Sequence, residues 1–200
     1  MKEINFLKEE QVSNYLLFQE ENNMIEIYTD GSSKNNGKEN NCGGAGLVAF
    51  IQGMEEKPDS RIDYIWSIQE NNTTNNRMEL IALLKALELT QNKYKKKECV
   101  IKSDSSYCVN AFNEWITNWR RNDWTKYNGT EIENIDLIKQ LWEYKKIEWP
   151  NFYIQKVPGH SGLLGNELAD LLATNQKDKF IKILEKNGMK YDNKCIFDLN

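Results

Sequence analysis

Four carboxylates stand in four separate settings along this chain: Asp30 in Tyr-Thr-Asp-Gly-Ser, Glu79 in Asn-Asn-Arg-Met-Glu-Leu, Asp104 in Lys-Ser-Asp-Ser-Ser, and Asp170 ten residues after the only histidine, His160. Hard divalent cations such as Mg²⁺ take oxygen ligands, and two of them roughly 4 Å apart can bind both the attacking and the leaving oxygen of a phosphodiester. Four acids brought to one point would make such a site. Each residue also has an ordinary reading. Asp30 before a glycine is a turn residue, Glu79 early in a helix favours the dipole, Asp104 before two serines is an N-cap, Asp170 is a solvated helix residue and His160 part of a Pro-Gly-His-Ser-Gly turn. The acids lie too far apart in sequence to meet without a folded domain, so the chemistry depends on what gathers them.

The elements needed are legible as an alternation of strands and helices. Met24 to Thr29 alternates apolar and polar residues into Asp30-Gly31, a half-buried strand with a turn. Gly43 to Ile51 and Arg61 to Ile68 read as two more strands, with Met54 to Ser60 between them, giving three antiparallel strands in meander order. Thr73 or Thr74 caps a helix that runs through Ile81 to Leu87 with apolar residues on most of its circumference. Cys99-Val100-Ile101 is a short strand ending at Ser103-Asp104, Ser105 to Phe112 opens a helix, and another runs from about Glu131 to Lys146. Phe152 to Val157 returns as a strand into Pro158-Gly159-His160, and Asn166 to Thr174 is a helix bearing Asp170. The fold class is α/β, a five-stranded mixed sheet in which parallel strands join the three antiparallel ones and helices flank it. In open sheets of this kind ligands gather at strand carboxyl ends, where this reading puts Asp30 and Asp104.

Two hundred residues, 40% hydrophobic and 11% aromatic, fit one compact domain with modest extensions. No apolar run approaches the roughly 20 residues that span a bilayer, and the beginning Met-Lys-Glu-Ile-Asn has no signal-peptide pattern, so no membrane association and a cytoplasmic location are expected. Cys42, Cys99, Cys108 and Cys195 show no metal-ligand spacing and read as reduced thiols, mostly filling the core. A net charge of -4 argues at first against a polyanionic partner. Its distribution argues otherwise: eight basic and four acidic residues lie between Lys93 and Lys126, whereas residues 1 to 23 hold two Lys against five Glu. A bound metal pair would add about four positive charges at the site itself. The run Lys95-Lys96-Lys97 reads only as the basic end of a helix.

Together, Tyr-Thr-Asp-Gly-Ser, the block Thr73 to Leu80, Ser103-Asp104-Ser105, Val157-Pro158-Gly159-His160-Ser161-Gly162 and Asn166-Glu167-Leu168-Ala169-Asp170 resemble type 1 ribonuclease H. The similarity covers about residues 24 to 174, with several motifs in the family's order and spacing. It implies the ribonuclease H-like fold and endonucleolytic hydrolysis of the RNA strand of an RNA–DNA hybrid, leaving 5′-phosphate and 3′-hydroxyl ends. By the same resemblance Asp30, Glu79, Asp104 and Asp170 hold two Mg²⁺ ions, for which Mn²⁺ can substitute. Asp30 bridges them, Glu79 and Asp104 stand on the nucleophile side, Asp170 stands on the other, and His160 shuttles a proton or aids product release. The resemblance sets Gly31, Ser32 and Ser106 beside the RNA strand, brings Asn36, Asn75 and Asn76 to sugars and base edges, and gives Thr74 a DNA phosphate. Trp115 and Trp119 fall on its hybrid-binding aromatic positions and Arg120 and Arg121 on its basic protrusion. That protrusion is weakly charged here, since Asn122 to Glu133 holds one cation, Lys126, and three acids; core packing competes for Trp119 and Trp124.

Residues 1 to 23, with Phe6, Leu7 and Tyr15 to Phe18 among acids, read as an N-terminal extension of unknown role, 24 to 174 as the domain, and 175 to 200 as a C-terminal extension with a candidate amphipathic helix stopped at Gly188. A monomer without an obligate protein partner is expected. Two alternatives stand beside the main reading: a catalytically silent hybrid-binding module, and another nuclease of the superfamily, such as a junction resolvase or transposase.

Overall fold

The computed structural model of the chain describes residues 24–34, 41–51 and 61–191. Strands β1 (Ile25–Lys34), β2 (Cys42–Ile51) and β3 (Arg61–Asn71) form an antiparallel meander. Helix α1 (Asn75–Asn92) carries the chain to the other side of β1, where β4 (Cys99–Ser103) pairs parallel with β1 and β5 (Phe152–Lys156) pairs parallel with β4. The order β3-β2-β1-β4-β5 is the mixed sheet expected from sequence, and a two-residue strand, β6 (Lys190–Tyr191), extends it at the outer side of β3.

Between β4 and β5 run α2 (Ser106–Asn110), a π-helical turn at Ala111–Trp115, α3 (Ile116–Arg121) and α4 (Ile135–Lys145). Helices α5 (Leu164–Ala173) and α6 (Lys177–Lys186) follow β5. The sheet is covered on both faces. Ile25, Ile27, Ala45 and Leu47 pack against Met78, Leu80, Leu83 and Leu87 of α1 in the larger core. Tyr28, Val48, Phe50, Ile62 and Ile65 meet Leu168 and Leu172 of α5 and Phe180 and Leu184 of α6 in the smaller one. Alternation along each strand divides its side chains between the two cores, which is why β2 is buried almost throughout. A bulge between Ala49 and Phe50 shifts the register so that Phe50 pairs with Ile62 and Ala49 with Tyr64. Ile62 and Ile65, an odd number of residues apart, then share one face.

Some boundaries differ from those read in the sequence. β1 does not turn at Asp30-Gly31 but continues to Lys34, its last residues still paired with β2. Gly31, Ser32 and Ser33 carry turn signals that the glycines of β2 override by tertiary pairing. Helix α1 ends at Asn92, so Lys95-Lys96-Lys97 lie beyond it, in the turns before β4, instead of closing its last turn. The amphipathic reading of the C-terminal stretch corresponds to α6, which buries Phe180 and Leu184, with Gly188 at φ +61° after its end. Cys99 and Cys108 are buried and Cys42 is exposed. Residues 1–23, Cys195 and most of the expected β1–β2 and β2–β3 loops lie outside the described residues.

Candidate active site

The difference in length between β1 and β4 makes the site. Pairing of β1 with β4 ends at Thr29 opposite Ser103, while β1 runs on against β2, so that Asp30 sits opposite Gly46. Asp104 follows directly from the last residue of β4. The two aspartates therefore emerge side by side where one strand stops and its neighbour continues. Glu79 arrives from above the sheet because α1 lies almost in contact with β1: a Cβ on Gly31 would sit 2.1 Å from the Glu79 nitrogen, so only glycine fits. Asp170 arrives from the opposite face, where α5 presses on β2 and a Cβ on Gly46 would lie 2.3 Å from the Ala169 carbonyl oxygen.

Carboxylate oxygens of Asp30, Glu79 and Asp104 lie within 4.8 Å of one another, and Asp170 is close enough to Asp30 to raise its pKa. Asp30 and Glu79 are buried; Asp104 and Asp170 are half-buried. Burial, then the charges of Asp104 and Asp170, push the Asp30 carboxyl up from 3.8 to about 8. Burial, then Asp30 and Asp104, raise Glu79 well above its ordinary value. The Glu79 Oε2 atom is buried with no hydrogen-bond partner. An orphaned carboxylate oxygen inside a cluster of repelling acids is what an oxygen-seeking divalent cation satisfies, and the donor set fits Mg²⁺ or Mn²⁺.

The capping expected of Asp104 falls to its neighbour. The Ser105 hydroxyl accepts from the Cys108 N–H at 3.3 Å and starts α2, which leaves the Asp104 carboxylate free to face the cluster. Its Oδ2 instead accepts from the Nδ2 of Asn166 at 3.0 Å. Asn166 is buried and its own Oδ1 has no partner. Sequence reading gave Asn166 no role, although its spacing of one helical turn from Asp170 puts both on one face of α5. His160 is exposed at φ +49° in the loop after β5. That loop passes over Asp104: a Cβ on Gly159 would lie 3.0 Å from the Asp104 Oδ2.

The other residues expected at the site divide into groups. Gly31 is buried under α1 and Ser32 continues β1 opposite Gly44; Ser106 is exposed at the start of α2. Thr74 is the N-cap of α1, its hydroxyl accepting from the Arg77 N–H at 3.3 Å, and Asn75 and Asn76 open the helix beside it. Arg77 makes two hydrogen bonds to Asp136, at 3.1 and 2.9 Å, which join this helix start to that of α4. Asn36 lies outside the described residues. Away from the carboxylates, a groove of about 570 Å³ is lined by Trp115, Asn118, Trp119, Arg121 and Tyr127. The Trp115 and Trp119 rings meet at 5.6 Å, tilted by 55°, each with one side against the larger core and the other toward the groove. Arg120 and Arg121 therefore separate: Arg121 lines the groove, whereas the Arg120 guanidinium lies 5.8 Å over the Trp124 ring. Trp124 in turn meets Trp142 edge to face, on the core side. Tyr127, fully exposed, has no motif in the sequence to mark it, since its loop shows only a charge pattern.

Comparison with known proteins extends over most of the chain. A family model described as RNase H matches residues 22–178. A ribonuclease H of Caldanaerobacter subterraneus subsp. tengcongensis is 41% identical over 164 residues, which cover 80% of this chain and 95% of that one. Among solved structures, LC9-RNase H1, a type 1 RNase H with the type 2 active-site motif, superposes with a TM-score of 0.66 at 24% identity over 86% of this chain and 87% of its own. A foamy viral protease-reverse transcriptase solved in complex with RNA/DNA hybrid superposes with a TM-score of 0.64 at 23% identity over 78% of this chain and 20% of that one.

Proposed function

This chain belongs to the ribonuclease H family, and on that premise we propose that it cleaves the RNA strand of RNA–DNA hybrids internally, leaving 5′-phosphate and 3′-hydroxyl ends. The observation that carries the reading is the set of Asp30, Glu79 and Asp104 oxygens within 4.8 Å, with Asp170 in charge contact with Asp30 and a buried Glu79 oxygen left unpartnered. These four carboxylates would hold two Mg²⁺ ions. When bound, the metals supply Lewis acidity that lowers the pKa of an attacking water and favours departure of the 3′-oxygen.

The chain's own residues supply the rest. Asp30 is in charge contact with both Asp104 and Asp170, and it would be shared between the two ions. Glu79 and Asp104 would serve the side of the attacking water and Asp170 the leaving side. His160, exposed in its loop, moves a proton at the departing oxygen or follows the product out. Gly31, Ser32 and Ser106 flank the RNA strand, and Asn36, Asn75 and Asn76 read sugars and base edges, since an amide donates and accepts without bringing charge. Thr74 takes a DNA phosphate with the hydroxyl proton that its cap bond leaves unused. Trp115, Trp119 and Arg121 line the groove in which the DNA strand rests, and Arg120, held over Trp124 outside that lining, adds only general positive charge. No described helix is long and apolar enough to cross a membrane. The protein acts as a monomer in the cytoplasm.

The test is cleavage of an RNA–DNA hybrid labelled on one strand, beside a four-way DNA junction, with Mg²⁺ present or chelated. Asp30→Asn and Asp104→Asn should each lower the rate more than 10²-fold while hybrid binding stays within a few fold, as expected when a transition-state charge contact of about 3 kcal/mol or more is lost. Near-normal turnover by either variant, or cutting of the junction in preference to the hybrid, would defeat the assignment.

A further inference from the structure

Lys156, the last residue of β5, is exposed, a setting in which a lysine ordinarily keeps its ammonium hydrated and mobile. Here the ammonium donates to two main-chain carbonyls, that of Asp104 at 2.6 Å and that of Val157 at 2.9 Å. Both are short bonds with a charged donor. They fall where two strands part. The Val157 N–H donates to the Ser103 carbonyl at 3.0 Å, after which β4 turns into α2 and the other chain enters Pro158. Proline has no N–H and cannot extend the ladder. Lys156 thus ties the two sides together one step beyond the last backbone bond.

What it ties is the acid at one side and the histidine loop at the other. The loop is already close on Asp104, since a Cβ on Gly159 would lie 3.0 Å from Oδ2, a tight contact. We propose that Lys156 is a positioning residue of this site, latching the Asp104 turn to the His160 loop through its two carbonyl hydrogen bonds. The proposal rests on the roles given above to Asp104 and His160. Without the latch the carbonyls of Asp104 and Val157 turn to water, the loop slides on the carboxylate, and a displacement of about 1 Å at reacting groups is enough to slow turnover greatly.

Lys156→Met keeps the aliphatic stem and removes the donors; Lys156→Arg keeps donors able to reach both carbonyls. On labelled hybrid with Mg²⁺, Lys156→Met should lower kcat about 10-fold and leave KM within about 2-fold, with Lys156→Arg recovering most of the loss. A second readout needs neither metal nor substrate: ¹⁵N relaxation dispersion at the Gly159, His160 and Gly162 amides of the metal-free protein should show millisecond exchange in Lys156→Met that is absent from the unsubstituted chain and from Lys156→Arg. Unchanged kcat with unchanged dispersion in Lys156→Met overturns the latch. Equal losses in both variants, with a lower melting temperature and unchanged dispersion, overturn it too, since Lys156 would then serve stability alone. If the unsubstituted protein fails to cut hybrid, it is the functional reading that falls, and the dispersion comparison still decides the latch.

Discussion

His160 and Asp104 differ in how they are held, and that difference sets what each variant should lose. Asp104 is fixed by Asn166, by Gly159 against its oxygen and by the Ser105 cap behind it, whereas His160 is exposed in a loop with left-handed backbone. A residue outside the buried cluster can assist the reaction without carrying the metals. His160→Ala should therefore slow turnover by about 10- to 10²-fold, the range of one general acid or base, and leave the Mg²⁺ concentration for half-maximal rate unchanged. A marked rise in that concentration would make His160 a ligand instead. Asn166→Ala should behave differently: it releases Oδ2 of Asp104 and so shifts the Mg²⁺ dependence as well as the rate. At this scale the sequence disclosed the acids and the histidine but not their supports. A carboxylate announces its chemistry by type, while the partner of Asn166 or Lys156 depends on how closely two elements approach, which no residue spacing encodes.

Between elements, close approach depends on missing side chains. Gly31 lets α1 lie on β1 and so delivers Glu79; the Cβ of an alanine there would stand 2.1 Å from the Glu79 nitrogen, a backbone atom that cannot yield without moving the helix. Gly31→Ala should cost on the order of 3 kcal/mol in chemical denaturation and abolish cleavage together, because relief of the clash displaces a ligand. A stable, active Gly31→Ala would show that α1 stands farther off the sheet. The aromatic groove makes a second prediction at this scale. Arg121 lines it and Arg120 covers Trp124, so Arg121→Ala should flatten the slope of log affinity against log salt by about 0.9, one phosphate contact, and Arg120→Ala by less. Fluorescence anisotropy of a labelled hybrid in an Asp30→Asn background measures both. Neither change should alter which strand is cut, since these side chains meet a backbone common to any duplex. Strand periodicity and the order of elements were legible in the sequence. The length of β1 was not, because Asp-Gly-Ser-Ser carries turn chemistry, and only pairing with β2 holds it extended.

For the molecule as a whole, the site is a stored repulsion that the two cores hold together. Packing of α1 on one face and α5 on the other forces Asp30, Glu79, Asp104 and Asp170 to converge, and the folded chain answers by keeping protons that the unfolded chain releases. The sign follows from Asp30, whose carboxyl is raised to about 8 in the fold from an ordinary 3.8. Between those values the folded state binds more protons than the unfolded one, so the group's contribution to stability declines as pH rises and is lowest above pH 8. Glu79, raised in the same direction by burial and by the same neighbours, adds to the slope. In chelator, the melting temperature should therefore fall from about pH 5 to pH 8 more steeply for the unsubstituted protein than for Asp30→Asn, which has no proton to lose and no charge to lend to Glu79. Mg²⁺ should reverse the trend, raising the melting temperature more at pH 8 than at pH 6, because Asp30 and Glu79 then hold fewer protons for the cation to displace. Parallel calorimetric scans of the two proteins across pH, with and without Mg²⁺, check this. If Asp30→Asn keeps the full pH slope in chelator, the strain lies elsewhere than in the carboxylate cluster.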